Sequence, residues 1–370
     1  MEIRKVEASP ISIPFATSFG VSRGSAPSSE HVLVRIETGD GRFGIGEASP
    51  NPLYSYETQD TVLAIVRGSM GPCLIGQDPR LITRRMADLD AAVLGHPFAR
   101  AAVEVALHDL VARTLGLPLH LLLGGCMRDR IPAAMPLGID TASATAERAA
   151  AYVGRGFRTI KLKVGRDSAA DVERLRAVRD AVGTGVALRV DANQGYSFSE
   201  ALSCLRKMEH FDLEYVEQPL PRWDLAGMCR LTEALDVPVV ADESVMDAHD
   251  AVEVVRTGAA DGVILKVSKL GVRGALRIAG MIEAAGLFYE LSEMGALSVG
   301  ASTALHVASV LPQLDHACEI IAPFLYEAHP ADETRPDVGK FDGTWAVPSG
   351  CGHGARIAAT WSWDEVGGGR

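Results

Sequence analysis

Charged residues recur at regular intervals between positions 163 and 266 of this 370-residue chain, each at the end of a short apolar segment. Asp191 lies in VDANQ, Glu217 in EYVEQP and Asp242 in VADES, with Lys163 in TIKLKVG before them and Lys266 in VILKVSK after them. The successive spacings from the first lysine to the last are 28, 26, 25 and 24 residues. Such an interval accommodates one strand, one helix and two loops, so the spacing predicts a series of βα units.

Apolar strand segments extend this repeat in both directions. We expect helices between these segments, which cover 131–139, 159–164, 186–191, 213–217, 237–242, 262–267, 287–292 and about 317–321. Eight βα units favour a closed TIM-type (β/α) barrel, in which functional residues lie at the C-terminal ends of the strands. A doubly wound open sheet is the alternative, but no GxGxxG follows an early strand to support it.

The remainder of the chain divides into an N-terminal unit and a tail. The segment HVLVRIET alternates apolar and polar residues, a TGDG turn leads to a second strand, and three helical stretches follow. We therefore predict an α/β protein: a modified TIM barrel with an N-terminal α+β capping domain. The capping domain covers 1–125, the barrel 126–321, and a tail at 322–370 packs back on the capping domain.

Charge and composition restrict the partners of the chain. With 36 Lys and Arg against 47 Asp and Glu, the net charge is -11, and this field repels nucleic acid and anionic membranes. No run reaches the ~18 apolar residues that span a bilayer, and MEIRKVEASP lacks a signal-peptide stretch. The six cysteines form no CxxC pair, which favours reduced, buried thiols. We expect a cytoplasmic homo-oligomer that acts on a small molecule.

The three regularly spaced carboxylates form a candidate metal site. Each carboxylate alone could be a helix N-cap or a loop residue, but that interpretation does not explain three carboxylates on successive strands. Asp191, Glu217 and Asp242 supply hard oxygen ligands with no His or Cys at equivalent positions, which suits Mg²⁺ or Mn²⁺ rather than zinc. Neighbouring polar residues are expected to orient these ligands, namely Asn193, Gln218 and Glu243.

The lysines supply a candidate base. Lys161 and Lys163 share one face of their strand because they are two residues apart. The alternative is that both lysines snorkel from an exposed edge strand. That alternative is weakened because Lys266 lies in an equally apolar run. Adjacent ammonium groups make each other harder to protonate, so Lys163 is the candidate base and Lys161 its electrostatic tuner and a contact to the substrate carboxylate.

The order of the strands suggests how the lysines act. Lys163 lies on the second strand and Lys266 on the sixth of eight, so the two are diametrically opposed. A substrate over the metal would meet one lysine on each face of its α-carbon. The metal would stabilise the enediolate that forms when that carbon loses its proton.

In their order and spacing, KLKVG, DANQ, EYVEQP, ADES and LKVSK resemble the enolase superfamily over essentially the whole chain. The resemblance is to the muconate-lactonising group of the mandelate racemase and muconate lactonizing enzyme family. It implies a metal-dependent isomerase or lyase in which lysine acts as base with Mg²⁺. It also implies that two capping loops, near 15–27 and 50–57, close the barrel mouth, with four candidate specificity residues: Phe19, Arg23, Tyr54 and Tyr56.

Some positions depart from the family pattern or leave alternatives open. Members often carry a double glycine after LKxxK, whereas here Gly271 is followed by Val272, so we expect an altered loop after strand six. Either Glu290 or Glu293 at the end of strand seven faces the site. Glu319 stands alone on strand eight, where dipeptide epimerases of this family hold the substrate ammonium with paired aspartates.

These observations predict Mg²⁺-dependent abstraction of the α-proton of a carboxylate substrate through a metal-stabilised enolate. The reaction would be of the muconate cycloisomerase type, with Arg23 available for a second carboxylate. The alternative is a racemase, epimerase or dehydratase acting on an amino acid, a proline derivative or a dipeptide, with Glu293 or Glu319 as ammonium partner. A metal-dependent aldolase would normally carry a Schiff-base lysine or metal-binding histidines. A non-catalytic barrel that binds or scaffolds would need no lysines at its mouth.

Overall fold

The computed structural model of the chain describes residues 1–16, 20–22, 24–25, 27–329 and 331–363. It begins with the strands β1 (Ile3–Pro14), β2 (Gly20–Val21), β3 (Gly24–Ser25), β4 (Ser28–Thr38) and β5 (Phe43–Ala48). Five helices follow: α1 (Gln59–Ile65), α2 (Gly71–Leu74), α3 (Ile82–Ala92), α4 (Pro97–Leu115) and α5 (Leu119–Leu122). A π-helical turn at Val66–Met70 joins α1 to α2.

The N-terminal domain packs an antiparallel sheet of β1, β4 and β5 against α4. Two glycines of β5 allow the helix to approach the strand closely. A Cβ atom at Gly46 would overlap the carbonyl oxygen of Ala102, and one at Gly44 would overlap that of Ala106. The sheet face against α4 is apolar and fully buried, with Val32, for example, at 0% exposure. Burial of this surface stabilises the domain.

Parallel strands and helices alternate after the short strand β6 (Arg130–Pro132). The strands are β7 (Ala134–Leu137), β8 (Thr159–Lys163), β9 (Ala187–Asp191), β10 (Leu213–Glu217), β11 (Val239–Ala241), β12 (Gly262–Lys266) and β13 (Phe288–Ser292). The helices are α6 (Ala142–Gly154), α7 (Ser168–Val182), α8 (Phe198–Met208), α9 (Leu225–Ala234), α10 (Ala248–Thr257), α11 (Val267–Ala284) and α12 (Ser298–Val310). A 3-10 turn at Glu209–Phe211 precedes β10.

The seven strands pair in sequence order from β7 to β13, all in parallel. Cys318 bridges Ala133 and Glu319 bridges Ser292, so these two residues close the sheet between β13 and β7. The predicted modified barrel with a capping domain is confirmed. The expected eighth strand is reduced to these bridges. The expected first strand, 131–139, is also divided, because β6 lies outside the barrel sheet.

Strand alternation sorts the barrel side chains between two environments. Ile160 and Leu162 of β8 belong to the large apolar cluster formed with the surrounding helices, and Leu188 of β9 joins them. Lys161 and Lys163 alternate with them, so they point to the barrel interior. The register places Asp191 and Glu217, the last residues of β9 and β10, level with Lys163, so they also point inward.

The tail contains α13 (Ala322–Leu325), a 3-10 turn at Val338–Lys340 and β14 (Thr344–Ala346). β14 pairs antiparallel with β6, while further along the backbone N–H of His353 donates to Asp109 of α4 at 2.9 Å. The tail therefore contacts both the start of the barrel segment and the N-terminal domain.

Two expectations from composition can be compared with the described residues. All six cysteines are free, but only Cys204 and Cys318 are buried, and Cys126 and Cys351 are exposed. The expectation of buried thiols is therefore wrong for the exposed pair, because cysteine spacing carries no information on exposure. No helix within the described ranges has the length and apolar character that crossing a bilayer requires.

Candidate active site

The barrel brings the predicted acids and lysines to one end of the sheet. Lys163, Asp191, Glu217 and Lys266 are the last residues of β8, β9, β10 and β12, and Asp242 follows β11 directly. The register pairs Lys163 with Asp191, and Asp191 with Glu217, so these three stand at one level. All five are at least nine-tenths buried. Parallel strands end at the same edge of the sheet, so the five side chains converge at the barrel mouth.

Each of the three carboxylates is bound by a lysine. The Nζ atom of Lys163 lies 2.5 Å from Asp191 Oδ2, and that of Lys266 lies 2.5 Å from Asp242 Oδ2. Lys161 donates to Glu217 Oε2 at 2.7 Å. Burying these charges without partners would cost several kcal/mol of desolvation free energy each. The ion pairs therefore allow the charged groups to lie inside the barrel.

The mutual charges shift the pKa values of the carboxylates in opposite directions. Burial opposes ionisation of Asp191 and Asp242, but their lysine neighbours outweigh it and hold both pKa values below the ordinary range. Burial and the nearby charge of Asp191 raise the pKa of Glu217 well above its usual value. The low pKa values of Asp191 and Asp242 favour their charged forms, whereas the raised pKa of Glu217 disfavours its charged form.

Lys161 also contacts Glu319, so this lysine lies among three carboxylates together with Glu217 and Asp191. Burial lowers its pKa, but the three carboxylates outweigh burial and raise it well above the ordinary value. Lys161 is 1% exposed and does not border the cavity above the cluster. Lys161 therefore contacts carboxylates beneath the cavity, and its predicted contact with the substrate carboxylate stays a prediction.

Sequence reasoning missed Lys269. Its Nζ atom lies 2.8 Å from Asp242 Oδ1 and 2.5 Å from the carbonyl oxygen of Asp242. Its position three residues after Lys266, where a helix begins, was the available signal, because residues i and i+3 share a helix face. Burial lowers the pKa of Lys269.

The polar neighbours of the carboxylates contact their backbone and one another. Asn193 donates its backbone N–H to Asp191 Oδ1 at 2.8 Å and its side-chain N–H to Glu243 Oε1 at 3.2 Å. The Oε1 atom of Gln218 accepts the backbone N–H of Asp242 at 2.9 Å. Asn193 and Gln218 have φ angles of 43° and 36°, in the left-handed region, which side chains occupy only where the surroundings require it.

A cavity of about 370 Å³ lies over the cluster, between the barrel mouth and the N-terminal domain. Lys163, Lys266 and Lys269 line it on the barrel side, with Asp242 and Glu243. Its other walls are largely apolar, and they include Leu53, Phe98, Met246, Met294, Leu325 and Tyr326. The combination of apolar walls and convergent charged groups is typical of a small-molecule site.

The predicted specificity residues are distributed unevenly around this cavity. Tyr54 lines it, and its hydroxyl lies 3.5 Å from Asn193 Oδ1. Tyr56 is 89% exposed, with the guanidinium of Arg222 5.5 Å from its ring, and does not line the cavity. Phe19 and Arg23 lie outside the described residues.

The two acids of strand seven have different surroundings. Glu290 points into the barrel below the mouth, where it accepts from Arg189 Nη1 at 2.8 Å and from the Tyr215 hydroxyl. Glu293 lies beyond the end of β13 and lines the cavity, as does Glu319. Glu293 is therefore the strand-seven acid that faces the site.

The oxygen donors of the cluster suit a divalent cation. Glu217 Oε1 and Glu243 Oε2 are buried and have no hydrogen-bond partner among the described residues, which is costly unless a cation or a polar ligand binds them. In the described part of the chain, no group of three or more His, Cys, Asp or Glu side chains is close enough together to coordinate one metal ion. The lysine ammonium groups occupy the facing oxygens instead. The oxygen donors fit a hard cation that competes with these lysines.

Two family models cover most of the chain. Residues 2–124 match the N-terminal domain of mandelate racemase and muconate lactonizing enzyme, and residues 144–361 match the enolase C-terminal domain-like family. The resemblance predicted from the motifs is confirmed over both parts.

Individual relatives have two kinds of activity. The chain is 36% identical over 313 residues to the L-Ala-D/L-Glu epimerase of Bacillus subtilis, covering 84% of this chain and 85% of the relative. It is 34% identical over 362 residues to a chloromuconate cycloisomerase of Cupriavidus necator, covering 96% and 97%.

A solved structure shares the fold over nearly the whole length. The dipeptide epimerase of Enterococcus faecalis, complexed with Mg and the dipeptide L-Leu-L-Tyr, superposes with a TM-score of 0.91 at 31% identity and covers 96% of this chain and 100% of that one. The chain is therefore an enzyme of the mandelate racemase and muconate lactonizing enzyme family, within the enolase superfamily of cycloisomerases, racemases and epimerases.

Proposed function

We propose that this enzyme moves a proton at the carbon next to a substrate carboxylate, with Mg²⁺ as cofactor, in a reaction of the muconate cycloisomerase type. The observation that carries the proposal is the placement of lysines on opposite walls of one cavity. Lys163 ends β8 and Lys266 ends β12, and three strands separate β8 from β12 on one side of the barrel. Both side chains line the cavity.

The proposed metal ligands are Asp191, Glu217 and Asp242, with Mg²⁺ preferred and Mn²⁺ an acceptable substitute. Their oxygen donors and the buried, unpartnered Glu217 Oε1 support this assignment. When bound, the cation supplies positive charge that stabilises the enolate formed on loss of the α-proton. Asn193 and Gln218 would hold the ligands in place through the backbone bonds described above.

The lysines have separate proposed roles in proton transfer and charge stabilisation. Lys163 is the proposed general base and acid, because it lines the cavity and contacts a single carboxylate. Lys266 lies opposite, and its pKa is raised because Asp242 and Glu217 outweigh its burial. It therefore contributes positive charge on the second face of the substrate. Lys161, enclosed by carboxylates, is the proposed electrostatic tuner of the cluster.

The two acids predicted as ammonium partners, Glu293 and Glu319, support a substrate without an ammonium group. Burial and nearby Glu47 raise the pKa of Glu293 well above its usual value, and its oxygens accept N–H groups of Ala296 and Ile321 at 2.5 and 3.3 Å. Glu319 is already paired with Lys161. An incoming ammonium would find both acids engaged, so we favour a dicarboxylate over a free dipeptide.

Racemisation or epimerisation is the second candidate, as is dehydration of an amino acid or proline derivative. The two opposed lysines favour it, because a racemase needs one proton-transfer group on each face. An N-acylated amino acid fits the engaged acids better than a free amine.

A substrate panel separates these candidates. We expect the enzyme with Mg²⁺ to convert a muconate-type dicarboxylate with a kcat/KM at least about tenfold above that for any dipeptide, since an unpaired ammonium costs at least about 1.4 kcal/mol. Reactions followed in D₂O by NMR give both turnover and exchange of the α-proton. A dipeptide or a hydroxyproline as the best substrate would exclude the cycloisomerase proposal and leave the second candidate.

Variants of the two lysines test their roles. We expect Lys163→Ala to lower turnover by roughly 10²- to 10⁴-fold, because it removes the proton-transfer group. Lys266→Ala should slow turnover while deuterium still enters on the face of Lys163. In a racemase, each variant would instead lose exchange from one enantiomer only. Lys207→Ala, at an exposed position on α8, is the matched control. Wild-type exchange in both site variants would end the lysine assignment.

Glu243 provides a pH-dependent readout of the cluster without metal. Burial and the charges of Asp242 and Asp191 raise its pKa to about 7, from an ordinary value of 4.5. An acid whose pKa is raised by folding favours the folded state below the unfolded pKa. That contribution is lost as the pH rises through the folded pKa.

We therefore predict that Glu243→Gln stabilises the chelated protein at high pH. The gain over wild type should be absent near pH 4, grow between about pH 4.5 and 7, and level off at up to about 3 kcal/mol. Thermal denaturation in EDTA at several pH values measures it, with the exposed Glu173→Gln as control. A constant difference across this pH range would show that Glu243 is already ionised in the folded protein.

A further inference from the structure

A buried carboxylate of the N-terminal domain caps a barrel helix. Glu104 of α4 is 1% exposed, and its Oε1 accepts the backbone N–H of Arg273 in α11 at 2.9 Å. Helix α11 is interrupted at Gly271, whose φ is 71°, so a new helical segment starts just after it. Glu104 therefore satisfies an N–H group in the first turn of that segment, where a negative charge is favourable.

The same contact explains the sequence around Gly271. A Cβ atom there would overlap Glu104 Oε2, so the position requires glycine both for its φ angle and for space. Val272, where relatives often have a second glycine, is fully buried in the barrel core. With valine at position 272, Gly271 adopts a left-handed backbone conformation.

A second buried carboxylate makes an equivalent contact with α12, the helix that follows the next barrel strand, β13. Glu47 of β5 accepts the backbone N–H groups of Leu297 at 2.8 Å and Gly300 at 2.9 Å, at the start of α12. The Nδ1 atom of His31 lies 2.8 Å from Glu47 Oε1. Two carboxylates of one domain therefore bind the first turns of two consecutive helical segments in the other.

Both helices directly follow strands that carry groups of the site. The segment between β12 and Gly271 contains Lys269, whose ammonium holds the backbone and side chain of Asp242. The segment between β13 and α12 contains Glu293, which lines the cavity. Each segment is thus fixed at one end by its strand and at the other by a carboxylate of the N-terminal domain.

We infer that Glu104 and Glu47 are positioning residues for the active site. Glu104 caps the helical segment after Gly271, and this contact fixes the position of Lys269 and, through Lys269, that of Asp242. Glu47 caps α12, and this contact fixes the position of the loop that carries Glu293. The inference rests on the proposed function, because Asp242 and Lys269 belong to the proposed site. It assigns the capping domain a role in shaping the barrel side of the cavity.

Asp109 offers a matched control on the same helix. It is fully buried and accepts the backbone N–H groups of Ile45 and His353, both at 2.9 Å, so it resembles Glu104 in burial and bonding. These backbone partners lie in β5 and the tail, away from the cavity, and Asp109 also pairs with Arg113 of α4 at 2.7 Å. A purely structural effect should therefore appear equally in variants of Asp109 and Glu104.

The test compares Glu104→Ala, Glu104→Gln and Asp109→Ala by melting temperature, Mg²⁺ affinity in calorimetry, and steady-state kinetics. We expect similar losses of melting temperature in both alanine variants. Only Glu104→Ala should lower kcat and Mg²⁺ affinity, each by roughly tenfold, because Asp242 loses its support. Glu104→Gln keeps an acceptor oxygen and should restore most of both. Glu47→Ala should lower kcat while leaving Mg²⁺ affinity within about twofold of wild type.

The outcomes separate this inference from the proposed function. If wild type binds Mg²⁺ and turns over substrate but Glu104→Ala behaves as Asp109→Ala does, the positioning role is excluded and the proposed function stands. If wild type binds no Mg²⁺, the proposed function itself fails. If Glu104→Ala does not fold, Gly271→Ala disturbs the same contact from the barrel side, and wild-type kcat and Mg²⁺ affinity in that variant would overturn the inference.

Discussion

The ion pairs of Lys163 with Asp191, Lys161 with Glu217, and Lys266 with Asp242 set the conditions under which this barrel folds and works. Charged groups taken out of water cost several kcal/mol each, and removing one partner of a buried pair typically costs about 3–5 kcal/mol. The lysines therefore serve stability as well as chemistry. A cation at the carboxylates competes with them for the same oxygens.

The charged interior continues below the mouth on one side of the barrel only. Arg189 is fully buried and contacts Glu290 and Glu214, and its guanidinium lies 4.9 Å from the ring centre of Tyr215. On β11 and β12 the equivalent positions are Val240 and Ile264. Burial raises the pKa of Glu290 even beside this arginine. The site thus rests on a polar layer on one side and an apolar layer on the other.

Much of this arrangement could be predicted from the sequence because it depends on two local rules. Strand alternation turns Lys161 and Lys163 inward, and one βα interval carries each acid to the next strand end. The fold class and the approach of Asp191, Glu217 and Asp242 follow from these rules, whereas the family follows from the resemblance of the motifs that carry these residues.

Features that depend on tertiary contacts could not be predicted in the same way. The sequence does not show which residues of strand seven point into the barrel. It therefore could not predict that Glu290 lies below the mouth and Glu293 above it. The eighth strand has too few backbone bonds to give a strand pattern. Neither Glu47 nor Glu104 has a local signal, because each bonds to a helix of the other domain.

Calorimetric titration of Mg²⁺ into chelator-treated, dialysed protein shows whether the lysine-bound carboxylates form one Mg²⁺ site, as proposed. We expect one Mg²⁺ per chain in wild type and an affinity at least roughly tenfold lower in Glu217→Gln, with the exposed Glu233→Gln unchanged. Absence of Mg²⁺ binding in wild type, or equal binding by Glu217→Gln, would contradict it.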